Sequence, residues 1–250
     1  MKTSAKGRVN RANQTAQEHS AVEFLDFSLT LENIEVLRNI DFKVTAGNFA
    51  VVYGCRGAGK SALLRSLLGL NKEIYENVSY KGSIKINNKD ISSYEKKILR
   101  KIVTYIEPTF LEALDYLTFN EYMNLIADEE SISIDNFSTE LDRLGILKLL
   151  RKEMKTPLRD FYTMEKIMIL IFSAVVRKSS VVVLDCILDH VDDEALERIS
   201  QELFTVKEDR VVILSTRHKN RFLSMANLFI HLKNGRIEYS GNPRDLVVKG

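Results

Sequence analysis

Only two of the 250 residues are cysteine, Cys55 and Cys186. That is too few for the disulfide framework of a small secreted scaffold, and it suits a reducing compartment. Neither charge is in excess: 36 Lys and Arg face 34 Asp and Glu, a formal net charge of +2. No global field therefore draws the chain to nucleic acid or acidic lipid. Long apolar runs are missing too. A membrane-spanning helix needs roughly 18 uninterrupted apolar residues, and the stretch from Ile167 to Val176 is too short. Direct membrane insertion is not expected, so a membrane role has to come through a partner. The first twenty residues are polar, lack the apolar core of a signal peptide, and are expected to form a mobile tail. Internal repeats and low-complexity linkers are absent. The length is enough for a full core, as one large domain or a core with a subdomain.

One short motif carries the chemistry. Gly54-Cys55-Arg56-Gly57-Ala58-Gly59-Lys60-Ser61 is a complete G-x-x-x-x-G-K-[ST] phosphate-binding loop. The apolar run Phe49 to Tyr53 before it suits a buried parallel strand, and Ala62 to Leu68 opens a helix after it. Gly54, Gly57 and Gly59 let backbone N–H groups wrap a phosphate at the helix N-terminus. Lys60 can reach the β- and γ-phosphates, and the Ser61 hydroxyl can ligand Mg²⁺. The chain is expected to bind a nucleoside triphosphate.

Around the loop, β-branched and alternating apolar residues predict strands within Val22–Asp41, at Lys81–Asn88 and at Ile102–Ile106. Val181–Asp185 and Val211–Leu214 read as buried strands. Leu111 to about Met154 is helical and polar, and Lys166–Arg177 and Asp193–Val206 are helical as well. Phe229–Tyr239 predicts a hairpin over Asn234-Gly235, and Pro243 begins a last short helix. Strands alternating with helices predict an α/β fold with a mostly parallel sheet covered on both faces.

The order and spacing of these pieces resemble the nucleotide-binding domain of ABC transporters, from about Val22 to the C-terminus. Leu37 to Phe42 followed by Gly47 resembles that family's lead-in, and Leu117 to Glu121 its leucine-threonine segment. Val181 to Asp192 matches its Walker B strand plus D-loop, and Leu232 to Ile237 followed by Gly241 its closing hairpin. The resemblance implies a P-loop NTPase with a RecA-like parallel sheet core, an antiparallel β subdomain and an inserted helical subdomain at about 108–160, all within 21–250. In that family two such domains sandwich two ATP molecules. Each site joins the phosphate loop of one chain to the signature sequence of the other, and closure drives a membrane partner.

Carried over position by position, the resemblance makes Asp185 the Walker B carboxylate that supports Mg²⁺ opposite Ser61, and Asp192 the D-loop aspartate. An acidic surface turn through Asp189 and Asp193 is the competing account of Asp192. Several positions depart from the family. Cys186 stands where a catalytic glutamate would orient the attacking water; a thiol near triphosphate oxygens is mostly neutral and a poor substitute. Glu107 stands at the Q-loop glutamine, keeping an oxygen for Mg²⁺ or water while adding negative charge. Arg217, or His218 after a one-residue slip, stands at the switch histidine; a basic surface loop is the alternative. The Leu-Ser-Gly-Gly-Gln signature falls on Phe161-Tyr162-Thr163-Met164-Glu165, with side chains where two glycines should be. Leu31 takes the adenine-stacking position without offering a π face.

Triphosphate and metal binding are thus retained while groups tied to hydrolysis have changed. The implied function is an ATP-binding subunit of an ABC transporter, on the cytoplasmic face of the inner or plasma membrane. It would pair with a second nucleotide-binding subunit and with integral membrane permease subunits, and hydrolyse weakly. Two alternatives stay open: a regulator or scaffold that uses ATP without transport, and a true ATPase in which Glu107 or Asp189 replaces the missing glutamate. Nucleic-acid repair ATPases share this architecture, but nothing here has their coiled-coil insertions or cysteine spacing.

Overall fold

The computed structural model describes residues 21–126 and 134–247; the expected tail, 1–20, lies outside them. Ten strands fall in chain order: β1 (Ala21–Leu31), β2 (Ile34–Thr45), β3 (Phe49–Tyr53), β4 (Val78–Ile86), β5 (Lys89–Asp90), β6 (Val103–Ile106), β7 (Val181–Asp185), β8 (Val211–Thr216), β9 (Leu228–Lys233) and β10 (Arg236–Gly241). They form two sheets. One is six-stranded in the order β10-β9-β3-β8-β7-β6, and the other four-stranded in the order β2-β1-β4-β5. Within the larger sheet all neighbours are parallel except β10, which closes antiparallel on β9. The smaller sheet is antiparallel throughout. This is the α/β P-loop architecture the sequence pattern predicts.

Side-chain alternation across the large sheet feeds two cores. Phe49, Val51, Val182, Leu184, Val212 and Leu214 face one core, shared with the helices Thr163–Val176 and Asp193–Val206. Ala50, Val52, Val181, Val183, Val211 and Ile213 face the other, shared with β1, β2, β4 and the helix Lys60–Ser66. Both faces are covered, so β3, β7 and β8 read as continuous apolar runs up to their C-terminal ends rather than as alternation with polar residues. The helix Thr163–Val176 is buried at every position from Lys166 to Ala174. Its apolar length reflects packing on all sides, not a bilayer. No helix among the described residues is long and apolar enough to cross a membrane.

The tight turns follow their residues. Asn234 and Gly235 sit at φ 49° and 73° between β9 and β10, as a type I′ hairpin requires. Asn87 and Asn88, at 53° and 62°, turn β4 into β5. The strand expected from Ile102 begins at Val103, because Ile102 ends a helix that starts at Lys96. Between β6 and β7 lie the short helices Phe110–Ala113, Phe119–Ile126, Ser138–Arg143 and Leu147–Glu153. Leu141, Leu144 and Leu150 turn their apolar faces into the first core.

Register aligns the C-terminal ends of the parallel strands. Tyr53 pairs with Thr216, Asp185 with Ser215, and Ile106 with Leu184. Polar residues that follow these ends therefore converge at one edge of the sheet, the edge where open α/β sheets bind ligands.

Candidate functional site

The loop leaving β3 is shaped by its glycines. A Cβ on Gly54 would lie 2.4 Å from the Leu232 carbonyl oxygen, and one on Gly59 would lie 2.8 Å from Leu37 Cδ2. Gly57 and Gly59 adopt φ 81° and 101°, the left-handed region that side chains disfavour. The result is a cradle of bare backbone leading into the helix Lys60–Ser66. The Lys60 side chain folds back over it, donating from Nζ to the carbonyls of Gly54 (2.6 Å) and Cys55 (3.0 Å). A cavity of about 710 Å³ opens here, lined by residues from Arg56 to Ala62 and by Leu31, Cys186 and Arg217, among others.

Asp185, at the end of β7, is 2 % exposed. Ser215 Oγ donates to its Oδ1 at 2.5 Å, and the Tyr105 phenol lies 2.9 Å from its Oδ2. The same phenol lies 2.9 Å from Glu107 Oε2. It has one proton for two carboxylates, so it donates to one at a time. Burial, reinforced by the negative charges of Asp185 and Glu107, pushes the Tyr105 pKa far above the usual range and keeps it protonated.

Cys186 follows in the left-handed region, at φ 54° and ψ 8°. Its Sγ is 3.2 Å from Ser215 Oγ. Because the Ser215 proton is committed to Asp185, the thiol is the donor in this contact. Burial raises the Cys186 pKa; the Lys60 charge acts against that rise, while the negative charges of Asp185 and Asp189 add to it. The side chain in the cavity wall is therefore a neutral thiol.

Two acidic groups near the cavity are held by arginines. Arg65 donates to Glu107 Oε2 from Nη2 (2.5 Å) and Nε (3.1 Å), and Thr109 Oγ1 donates to Oε1 (2.8 Å). The Asp189 side chain is wholly buried. It accepts from Thr216 Oγ1 (2.5 Å) and from the N (3.1 Å) and Nε (3.2 Å) of Arg217. Arg217 thus sits in the cavity wall with its charge met by Asp189. Among the described residues His218 is not part of that wall; its N–H donates to Thr216 Oγ1 (2.9 Å). Asp192 caps the helix Asp193–Val206 by accepting from the Ala195 N–H at 2.7 Å.

A family model described as ABC transporter matches residues 37–186. The chain belongs to the ABC transporter family, as its nucleotide-binding domain. It is 27% identical over 236 residues to the energy-coupling factor transporter ATP-binding protein EcfA1 of Fusobacterium nucleatum, covering 89% of this chain and 81% of that protein. With the spermidine/putrescine import ATP-binding protein PotA of Aliivibrio fischeri it shares 24% over 238 residues, 93% of this chain and 61% of PotA. With the mouse ABC-type organic anion transporter ABCA8B it shares 28% over 212 residues, 84% of this chain but only 12% of that much longer protein. A solved ATP-binding subunit of an ABC transporter superposes with a TM-score of 0.75 at 21% identity, covering 91% of this chain and 92% of that one. A bacterial Atm1-family exporter with ATP bound superposes at 0.77 and 19%, covering 92% and 40% respectively.

The segment on which the signature was expected by counting, Phe161 to Glu165, is built as a plain helix start. Phe161 is buried in the first core, while Tyr162 is exposed. Glu165 turns back to accept from the Tyr162 N–H at 2.8 Å, so the chain supplies its own anion at this helix N-terminus. Lys166 is buried and paired with Asp115. Motif reading had no means to find Tyr105 or the Asp189–Arg217 pair, which join residues far apart in sequence. Arg65 did have a signal: it lies four residues after Ser61, on the same face of one helix.

Proposed function

We propose that the chain is an ATP-binding subunit of an ABC transporter that grips Mg·ATP and hydrolyses it slowly or not at all. The bare backbone cradle with Lys60 at its centre fits a triphosphate. Ser61, first turn of the helix, and Asp185, oriented by Ser215 and Tyr105, fit a divalent cation with their oxygens. Bound Mg·ATP brings the phosphoanhydride whose cleavage the family uses. Glu107 is held by Arg65 and Thr109, so its bonding is largely committed within the protein and Ser61 and Asp185 carry the metal.

The observation that supports weak turnover is the donor chain Cys186 to Ser215 to Asp185. A thiol that gives its proton away and whose pKa burial raises does not take one from water at neutral pH. Losing a positioned base costs roughly 10²–10⁴ in rate. Neither substitute carboxylate is well placed to repair this, since Glu107 and Asp189 each already answer an arginine. Closure with a second nucleotide-binding subunit, identical or different, would transmit binding to permease subunits at the cytoplasmic membrane face.

Gentle affinity purification of the native complex tests the assignment. Integral membrane permease subunits in the preparation are the expected result. Soluble partners alone would replace transport by the regulatory role.

A further inference from the structure

Besides the phosphate loop, the cavity is lined by a second group of residues from the small sheet and its neighbourhood, Leu31, Glu32, Ile34, Val36 and Tyr75, which we take as its second end. The connection is direct, because the Val36 carbonyl oxygen lies 3.4 Å from the position of a Cβ on Gly59. Strand β2 therefore runs on from the loop as the next stretch of wall. A nucleotide whose phosphates lie in the cradle would place its base towards this end. Leu31 and Val36 offer it only aliphatic surface.

Tyr75 brings the cavity its one phenol ring among the described residues. It stands just past the four-residue helix Asn71–Ile74, in extended backbone at φ −118° and ψ 144°. Its ring is half-buried against the second core. The residues after it are fastened to the cavity rim. The Glu32 carboxylate accepts from the N–H of Glu76 (2.8 Å), the N–H of Asn77 (3.1 Å) and the Asn77 side-chain amide (3.2 Å). In return the Glu32 N–H donates to the Asn77 carbonyl at 2.9 Å. Glu32 holds this turn at φ 46°, between the strand bearing Leu31 and the one bearing Val36. The donors from Asn77 and Glu76 lower its pKa and keep it an acceptor. One residue further on, Val78 pairs with Leu31 across the small sheet. Four hydrogen bonds and a strand register therefore hold the Tyr75 segment beside the aliphatic wall. No stretch of Gly or Pro explains such fastening, and the carboxylate that does it lines the same cavity.

We propose that Tyr75 is the base-contacting residue of this nucleotide site, giving the aromatic face that Leu31 cannot, with Glu32 as the residue that positions it. The inference rests on the nucleotide-binding reading above. It names the ligand as a nucleoside triphosphate held at both ends, rather than a polyphosphate held by the loop alone.

Calorimetric titration of the full chain with Mg·ATP and, separately, with Mg·tripolyphosphate tests it. Base–aromatic stacking is worth enough that Tyr75→Ala should weaken ATP about tenfold while leaving tripolyphosphate within about twofold. Tyr75→Phe should bind ATP like the unaltered chain, because the ring and not the hydroxyl makes the contact. Glu32→Gln should lose part of the ATP affinity, again sparing tripolyphosphate. Unchanged ATP affinity in Tyr75→Ala overturns the inference, as does an equal loss for both ligands, which would indicate damage to the loop. If the unaltered chain binds neither ligand, the nucleotide reading itself fails. Binding of both ligands with Tyr75→Ala silent removes only Tyr75.

Discussion

Replacing Arg65 by methionine leaves Glu107 without its cation in a site where little water can substitute. Arg65 and Glu107 side chains are 20% and 11% exposed, and the carboxylate receives two N–H donors from one guanidinium. Breaking a fully buried ion pair from one side costs about 3–5 kcal/mol. Two features reduce that here: both groups keep some solvent contact, and the Tyr105 and Thr109 hydroxyls still reach Glu107. A cost of about 2 kcal/mol follows. For a chain of this size each kcal/mol moves the melting midpoint by roughly 2–4 °C, so Arg65→Met should lower it by about 4–8 °C. Adding Glu107→Gln removes the stranded charge and keeps a hydrogen-bonding amide, so the double variant should recover at least half of the loss. Thermal unfolding of the four proteins of this cycle measures both quantities. A midpoint within about 1 °C of the parent for Arg65→Met, where about 4 °C or more is expected, would refute the reasoning. So would a double variant no more stable than the single one, because then no charge was stranded.

Other consequences concern the loop and the thiol. Gly57→Ala has open space around the new Cβ and should cost only the backbone strain of its positive φ, about 1–2 kcal/mol. Gly54→Ala instead meets the Leu232 carbonyl and should abolish measurable ATP binding; comparable affinities in the two variants would contradict this. Burial favours the neutral Cys186 thiol, so thiolate forms only at higher pH than usual. In a Cys55→Ser background, iodoacetamide labelling should still accelerate past the ordinary thiol pKa of about 8.5, and a plateau below it would count against the assignment. Cys186→Glu puts a carboxylate in the cavity wall and should raise phosphate release at least tenfold, within the roughly 10²–10⁴ a positioned base supplies. No rise would mean that the thiol is not what limits turnover.

The phosphate loop could be read from sequence because its geometry is local. Glycines at fixed offsets, a β-branched strand before and a helix after specify the backbone without help from the rest of the chain. The central strands were equally legible, since burial on both faces leaves Val, Ile and Leu along β7 and β8 up to the polar residues at their C-terminal ends, Asp185, Ser215 and Thr216. The electrostatics of the site were not. Whether Glu107 is a free oxygen or half of an ion pair depends on Arg65, 42 residues earlier, and on a phenol shared with Asp185 across 80 residues. Glu107 and Asp189 carry charge in the sequence, and folding gives each an arginine. The sequence likewise left Arg217 and His218 open to a one-residue slip; their difference, Arg217 lining the cavity and bound to Asp189 while His218 does neither among the described residues, arises only on folding. Tyr75 lay hidden for another reason. It sits in an irregular stretch with no periodicity, and its fastening depends on Glu32 from the preceding β turn.

Single-turnover decay of bound, γ-labelled ATP with Mg²⁺ tests the central claim most directly. An ordinary ATPase converts bound nucleotide at about 1 s⁻¹ or faster, and losing the base divides this by roughly 10²–10⁴. The account predicts that trapped nucleotide remains ATP for minutes or longer and that Lys60→Ala traps none. Conversion within seconds, or failure of the unaltered chain to retain any ATP, would contradict it.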